Sequence, residues 1–278
     1  MKFLNPTAPA KVIKRAAADL EELPFPDSFV VPYIEVVHDR VMVEVMRGCT
    51  RGCRFCQAGM IYRPVRERSK ETLKQQIKAL MASTGYDEVS LTSLSTGDYS
   101  CIGPLAQELM EELAPGHTAL SLPSLRVDSF SVELAEEIQR SRKTGLTFAP
   151  EAGTQRMRDV INKNVLEEDL LKAVAAAFAA GWHQVKLYFM IGLPTETDED
   201  VDGIADLAHK VLQEGRRHHK TGKKRPAVTV SAASFVPKAH TPFQWCSQNT
   251  LEQLKQKQNR LKEKLRHPGI QFQYHDLE

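Results

Sequence analysis

Three cysteines, Cys49, Cys53 and Cys56, fall within eight consecutive residues of the string Met46-Arg-Gly-Cys-Thr-Arg-Gly-Cys-Arg-Phe-Cys-Gln-Ala-Gly59. Five cysteines in all, an odd number with three crowded together, make a poor disulfide framework and a good metal-binding one. The competing reading is a set of inert buried thiols, which suits the isolated Cys101 and Cys246 better than the triplet. Gly48 and Gly52 give the loop the backbone freedom to wrap a metal centre. Three thiolates can hold three irons of a four-iron cube, and with no fourth cysteine nearby one iron keeps an open coordination position. An open position implies reactivity, as it does in catalytic zinc sites. Zinc itself is the main rival, but a closed tetrahedral site needs a fourth ligand, and the nearest upstream histidine, His38, lies on the far side of the preceding strand. A ferredoxin would supply four cysteines.

The elements that must position this loop read as a regular strand–helix alternation. Short apolar or β-branched runs at Val41–Met46, Val89–Thr92, Ala119–Leu122, Leu146–Phe148, Val185–Ile191 and Val228–Phe235 predict strands. Helical spacing follows Ser69 (Leu73, Ile77, Leu80, Met81) and recurs near Pro104–Leu113, Val132–Ile138, Glu167–Ala180 and Glu199–Gly215. Before the first strand lie a short helical pattern, Lys11–Leu23, and a stretch broken by Pro24, Pro26 and Pro32. After the last strand, Thr250–Leu265 reads as an amphipathic helix. Six βα-type units imply an α/β fold with a parallel sheet, either doubly wound or a full or partial barrel. The domain boundaries expected are a lead-in segment over 1–40, a core over 41–245 and a C-terminal helical extension over 246–278.

The pattern C-x3-C-x-aromatic-C, with Phe55 as the aromatic, resembles the signature of the radical S-adenosylmethionine (SAM) superfamily, and here it directly follows the first strand of a βα series. The resemblance implies a partial (β/α)6 TIM-type barrel, a [4Fe–4S] cluster on Cys49, Cys53 and Cys56, and SAM chelating the open iron through its amino and carboxylate groups. One electron from the cluster would then cleave SAM to methionine and a 5′-deoxyadenosyl radical, with the cofactor carrying the hard chemistry. An electron donor such as a flavodoxin or ferredoxin is implied as a partner.

Parallel barrels build their sites at the C-terminal strand ends, and the family features fall there in order. Ser93-Leu-Ser-Thr96-Gly97-Asp98-Tyr99 resembles the Gly-Gly-Glu-type segment that binds the SAM ammonium mainly through backbone carbonyls, with one glycine fewer and Asp98 in place of Glu. Pro123-Ser-Leu-Arg126-Val-Asp128 places Arg126 to meet a carboxylate or ribose hydroxyls, or simply to pair with Asp128. Ala149-Pro-Glu151-Ala-Gly153 resembles the Pro-Glu-x-Gly turn whose acid reaches the SAM sugar or amine, although a lone Glu opening a helix also serves as a cap. Arg156, Arg158 and Lys163 follow as candidates for the SAM carboxylate. Ile191-Gly192-Leu193-Pro-Thr-Glu196-Thr197 resembles the Gly-φ-Pro-x-Glu-Thr ending, in which Gly192 and Leu193 would contact adenine; it also reads as a helix start with acids in the first turn. The resemblance spans residues 41 to 245, and the Gly-x-Gly-x-x-Gly turn of a nucleotide-binding open sheet is absent.

These last two segments are similar to the branch containing tRNA methylthiotransferases and Elongator-type proteins. The strings at 60–68, 161–164 and 235–245 resemble a further group often joined to a cobalamin-binding-like region and extra C-terminal domains, which this sequence lacks; it therefore reads as a fragment, with Leu277-Glu278 as a cloning remnant. Substrate clues are Arg63, Arg66 and Arg68 beyond the cysteines, Lys238, His240 and Trp245 at a strand end, and the basic run Arg216–Arg225. An anionic substrate such as RNA explains them, and so do salt bridges and a solvated loop. Two spare cysteines far apart disfavour a second protein-bound cluster, and with it a standard methylthiotransferase.

Bulk properties agree with a cytoplasmic enzyme. The 278 residues suffice for one barrel, which takes about 250. A net charge of +2 gives no global pull toward nucleic acid or membrane, and no apolar run approaches the roughly 18 residues that span a bilayer. The rival to an enzyme is a non-catalytic metal- or RNA-binding module on an inactivated barrel.

Overall fold

The first apolar run becomes β1 (Val41–Glu44), and after one residue β2 (Met46–Arg47) leads into the cysteine loop. A computed structural model of the chain describes residues 11–122, 146–218 and 224–277. Next come α1 (Gln57–Ile61), β3 (Arg66–Glu67), α2 (Lys70–Thr84), β4 (Glu88–Thr92), α3 (Ile102–Leu113) and β5 (Ala119–Ser121). Then follow β6 (Leu146–Glu151), α4 (Gln155–Val160), α5 (Glu167–Ala179), β7 (Gln184–Ile191), α6 (Asp198–His218), β8 (Ala227–Ser234), α7 (Leu251–Lys264) and β9 (Ile270–Tyr274). The expected helix Val132–Ile138, Arg126 and Asp128, and the middle of the basic run lie outside the described residues.

Among the described residues β1-β4-β5 and β6-β7-β8-β9 are parallel sheets, the strand arrangement of a partial TIM-type barrel. Alternation decides which face is covered. Val185, Leu187, Phe189 and Ile191 of β7 are buried in one core with Leu170, Val174 and Phe178 of α5 and with Ile204, Ala208 and Val211 of α6. Val41, Val43, Val89 and Leu91 do the same beneath Leu73, Ile77 and Leu80 of α2. α2 starts and stops on its sequence signals. The Ser69 hydroxyl accepts from the Thr72 N–H at 3.2 Å and Gly85 closes α2 in a left-handed conformation. The acids of α6 sit in its first turn and its bases in its last, matching the helix dipole.

Two expectations for the flanks are corrected. Lys11–Leu23 forms no helix. Its groups bond outward instead: the Ala17 carbonyl accepts from Arg66 at 2.7 Å, the Leu20 carbonyl from Arg68 at 2.6 Å, and the Glu21 carboxylate from the Ser69 N–H at 2.5 Å. Leu20 is fully buried. The C-terminal extension is helical over α7 but ends in β9, a further parallel strand paired to β8 from Val228↔Ile270 to Ala232↔Tyr274. The pairing strand 46–47 with 66–67 is antiparallel and too short to read from periodicity.

Candidate active site at the cysteine loop

Two glycines set the path of the cysteine loop. Gly48 has φ +94°, and a Cβ there would stand 2.8 Å from the carbonyls of both Tyr62 and Pro64, so no other residue fits. Cys53 is buried and Cys49 and Cys56 are partly buried, and none of the three is in a disulfide. Cys56 caps α1, its Sγ accepting from the Gly59 N–H at 3.4 Å, and its own N–H donates to the Cys53 carbonyl at 3.1 Å. Among the described residues no three Cys, His, Asp or Glu side chains already stand at metal-binding spacing. The donor set nonetheless fits a cluster: three reduced thiols on one glycine-shaped loop, with a backbone N–H directed at a sulfur, the kind of bond that tunes Fe–S centres.

The loop is tied to both halves of the barrel. Arg51 makes a two-point ion pair with Asp98 at the β4 end, Nε to Oδ2 at 2.7 Å. Arg54 donates from its backbone to the Ile161 carbonyl at 2.9 Å and from its guanidinium to the Val160 carbonyl at 2.5 Å. The Asn162 amide donates to the Gly52 carbonyl at 3.0 Å. Phe55 packs against a second apolar cluster built from Ala152, Met157, Ile161, Leu193, Phe235 and Phe243. The aromatic of the cysteine signature and the Leu193 of the expected adenine segment therefore share one apolar cluster.

On the β4 end, Thr96 is fully buried and its hydroxyl donates to the Leu91 carbonyl at 3.3 Å, while Asp98 also accepts from Ser95 Oγ at 2.7 Å. Both side chains shape the turn that contains Gly97, in which the Ser95 and Thr96 carbonyls accept from the Asp98 and Tyr99 N–H groups at 3.0 and 3.2 Å. A pocket of about 500 Å³ opens between this end and the loop, lined by Glu44, Arg47, Gly48, Tyr62, Thr92 and Ser93 among others. Glu44 and Arg47 form a two-point pair across it at 2.9 and 2.6 Å, which pushes the Arg47 guanidinium further toward its charged form.

On the β6 end, Glu151 adopts φ +68° and accepts from Lys163 Nζ at 3.2 Å. The three basic candidates separate cleanly. Arg158 is 1% exposed and donates to the Ala152 and Gly153 carbonyls at 3.1 Å each, so it builds the turn from within, at the expense of a charge that burial disfavours. Arg156 is taken up by Asp200 and, at 2.9 Å, by the Thr195 carbonyl. Lys163 alone reaches Glu151. On the β7 end, Gly192 has φ +79° and its N–H donates to Glu196 Oε2 at 2.7 Å. Burial pushes the Glu196 carboxyl up, against the pull of Lys257 Nζ, which lies 2.5 Å away on α7.

Sequence reading gave no individual role to Arg51, Arg54, Asn162 or Lys257. Only Asn162 carried a usable signal, since asparagine is the residue most often found at positive φ after glycine, and Asn162 and Asn164 both stand there (φ +53° and +51°). Of the expected substrate arginines, Arg66 and Arg68 hold the lead-in segment rather than face a ligand. Arg216 and Arg217 at the start of the basic run meet His267 and Glu214. No helix among the described residues is long and apolar enough to cross a membrane.

A family model described as the Radical SAM superfamily matches residues 43–208. An uncharacterized protein of Methanocaldococcus jannaschii is 37% identical over 203 residues, covering 73% of this chain and 42% of that protein. A tRNA-2-methylthio-N(6)-dimethylallyladenosine synthase of Pelotomaculum thermopropionicum is 26% identical over 62% of this chain and 40% of its own length. The chain thus spans less than half of each of these relatives. Among solved structures, the radical SAM methyltransferase TsrM of Kitasatospora setae, with cobalamin and a [4Fe–4S] cluster bound, superposes with a TM-score of 0.57 at 14% identity, over 73% of this chain and 38% of that one.

Proposed function

This chain belongs to the radical SAM superfamily, and we propose that it is the catalytic core of an enzyme that carries out a methyl transfer or an RNA modification on a substrate received at the C-terminal strand ends. Cys49, Cys53 and Cys56 would hold the [4Fe–4S] cluster, which when bound supplies the electron that breaks SAM reductively. The chain's own residues do the positioning. The backbone of Ser93–Gly97 and the pocket beside it take the amino-acid end of SAM, Glu151 with Lys163 takes the ribose or amine, and Gly192 and Leu193 line the adenine.

The observation that carries this reading is the attachment of one loop to the segments that follow three strands: Arg51 to Asp98 after β4, Gly52 and Arg54 to residues 160–162 at the end of α4, which follows β6, and Phe55 to the cluster that contains Leu193 after β7. Such an arrangement aligns a cysteine-held centre with a ligand lying across those ends. The P. thermopropionicum relative supports the tRNA-modifying branch through the methylthio nucleoside of tRNA that its name states. A small reductant such as a flavodoxin or ferredoxin would feed the cluster.

Anaerobic reconstitution should give about four iron and four sulfide per chain, with 5′-deoxyadenosine released on reduction with SAM, and Cys53→Ala should abolish both. Stoichiometric zinc with no deoxyadenosine would instead support a non-catalytic metal module.

A further inference from the structure

Closed parallel barrels ordinarily fill their interior with layers of bulky branched side chains. The inner wall here is polar across four adjacent strands. Because Val185, Leu187 and Phe189 of β7 face the helices, Gln184, Lys186 and Tyr188 face inward. The register sets Lys186 between Thr147 of β6 and Thr229 of β8, and Thr229 beside Gln271 of β9. One step toward the C-terminal end, Tyr188 lies beside Ser231, and Ser231 beside Gln273. No aliphatic side chain stands among these positions, and Thr147, Gln184, Tyr188, Gln271 and Gln273 are exposed.

Charge on the inner face is unevenly balanced. Glu44 is answered by Arg47, Glu88 by Arg40 at 2.6 Å, and Glu151 by Lys163. Lys186 has no hydrogen bond or ion pair among the described residues; its ammonium stands 4.9 Å from the centroid of the Tyr188 ring. A concave polar wall whose Lys186 is unanswered among the described residues focuses a positive potential on whatever enters it.

We propose that the barrel interior binds a substrate through a phosphate or carboxylate group received by Lys186, with the exposed Thr147 and Gln271 able to hydrogen-bond its oxygens or the atoms beside them. The proposal rests on the family reading above for where the reaction occurs. From Lys186 to Ile191 is five residues, about 16 Å at the usual strand rise, so the substrate is elongated, with its anion deep in the barrel and its reacting atom at the strand ends.

The test is calorimetric titration of the reconstituted protein with inorganic pyrophosphate, with citrate and with a 5′-phosphorylated RNA hexanucleotide, comparing wild type with K186M, K186R and the control K78M, whose lysine is exposed on α2. At least one probe is expected to bind wild type, K186R and K78M alike, and K186M at least about tenfold more weakly. Binding of the RNA alone identifies a nucleic-acid phosphate as the source of the anion; binding of the small anions identifies a free one. Equal affinities in K186M and wild type, an equal loss in K78M, or no binding of any probe to wild type at millimolar concentration overturns the proposal. Failure of the family reading shows separately, as absence of cluster and deoxyadenosine while anion binding persists.

Discussion

The Asn162 side-chain amide and the Gly52 carbonyl lie 3.0 Å apart although 110 residues separate them in the chain. Asn162 stands at φ +53°, where asparagine is tolerated and most residues are strained, and it is one residue from Lys163, which reaches Glu151. One left-handed turn therefore holds the cysteine loop on one side and the expected SAM acid on the other. N162G keeps the backbone conformation and deletes the amide; N162D keeps the shape but replaces a donor with a carboxylate facing carbonyl oxygens. Losing an orienting contact next to a metal site costs about 10–100-fold in affinity or activity. Both variants should bind iron, lose it faster to a chelator than wild type, and show a smaller SAM-induced change in the electron paramagnetic resonance spectrum of the reduced cluster. N162D should be the worse of the two.

Gly153 follows Glu151 at the point where α6 crosses the β6 turn. A Cβ at Gly153 would stand 2.1 Å from the Ile204 N and 2.4 Å from the Gly203 carbonyl carbon, both backbone atoms. At Gly203 the nearest atom is the Thr154 methyl at 2.6 Å, the end of a side chain. Because backbone cannot step aside as a side chain can, G153A should destabilise by about 3 kcal/mol and G203A by about 1 kcal/mol. Denaturant midpoints measure both.

The fold was legible where periodicity carried it. The parallel strands and long helices follow from runs such as Val185–Ile191 and from the stripe of Val201, Ile204, Ala208 and Val211 along α6. The flanks were not. Lys11–Leu23 has helical spacing, but its carbonyls find better donors in Arg66 and Arg68 than in its own backbone, a tertiary choice that no local pattern records. Ile270–Tyr274 has the polar–apolar alternation of a strand, but five residues are too few to stand out from the helix before them, and β8 offers the edge on which they pair. In the site, the cysteines announced themselves by spacing. Arg51, Arg54 and Lys257 did not, since the chemistry of a surface base gives no hint that its partner lies tens of residues away.

Asp202 couples the barrel to its C-terminal helix. It meets Arg260 Nε at 2.5 Å and Lys264 Nζ at 2.8 Å, both on α7. Arg260 above all, with Lys264, holds its carboxyl down at about 2, against 3.8 for a free one. A depressed carboxyl stabilises fully above the unfolded value and loses that contribution as pH falls through the folded one. D202N should therefore cost on the order of 1 kcal/mol at neutral pH, allowing for solvent screening at the partly exposed Arg260. The gap between D202N and wild type should close as pH is lowered from about 4 to about 2, read from urea midpoints at each pH.

Glu151 and Lys163 separate ligand binding from cluster assembly. Neither lies on the cysteine loop, yet Glu151 is held in a strained conformation at the end of β6 (φ +68°), and a non-glycine residue stays there only when its surroundings enforce it. Arg158 does so from below by binding the carbonyls of Ala152 and Gly153, and Lys163 does so from the side. E151Q keeps the shape and removes the charge that a ribose hydroxyl or ammonium would meet. K163M leaves the carboxylate charged and untethered. E151Q should weaken SAM about tenfold, the scale of one charge-assisted hydrogen bond, with iron content unchanged. K163M should weaken it less, because the acid keeps its charge and loses only its orientation. R158A should instead lower stability by about 3 kcal/mol, since it leaves a cavity and two buried carbonyls without donors. Equilibrium dialysis of SAM against reconstituted protein, beside thermal unfolding, tells these outcomes apart. Equal SAM affinity in E151Q and wild type would remove Glu151 from the ligand site.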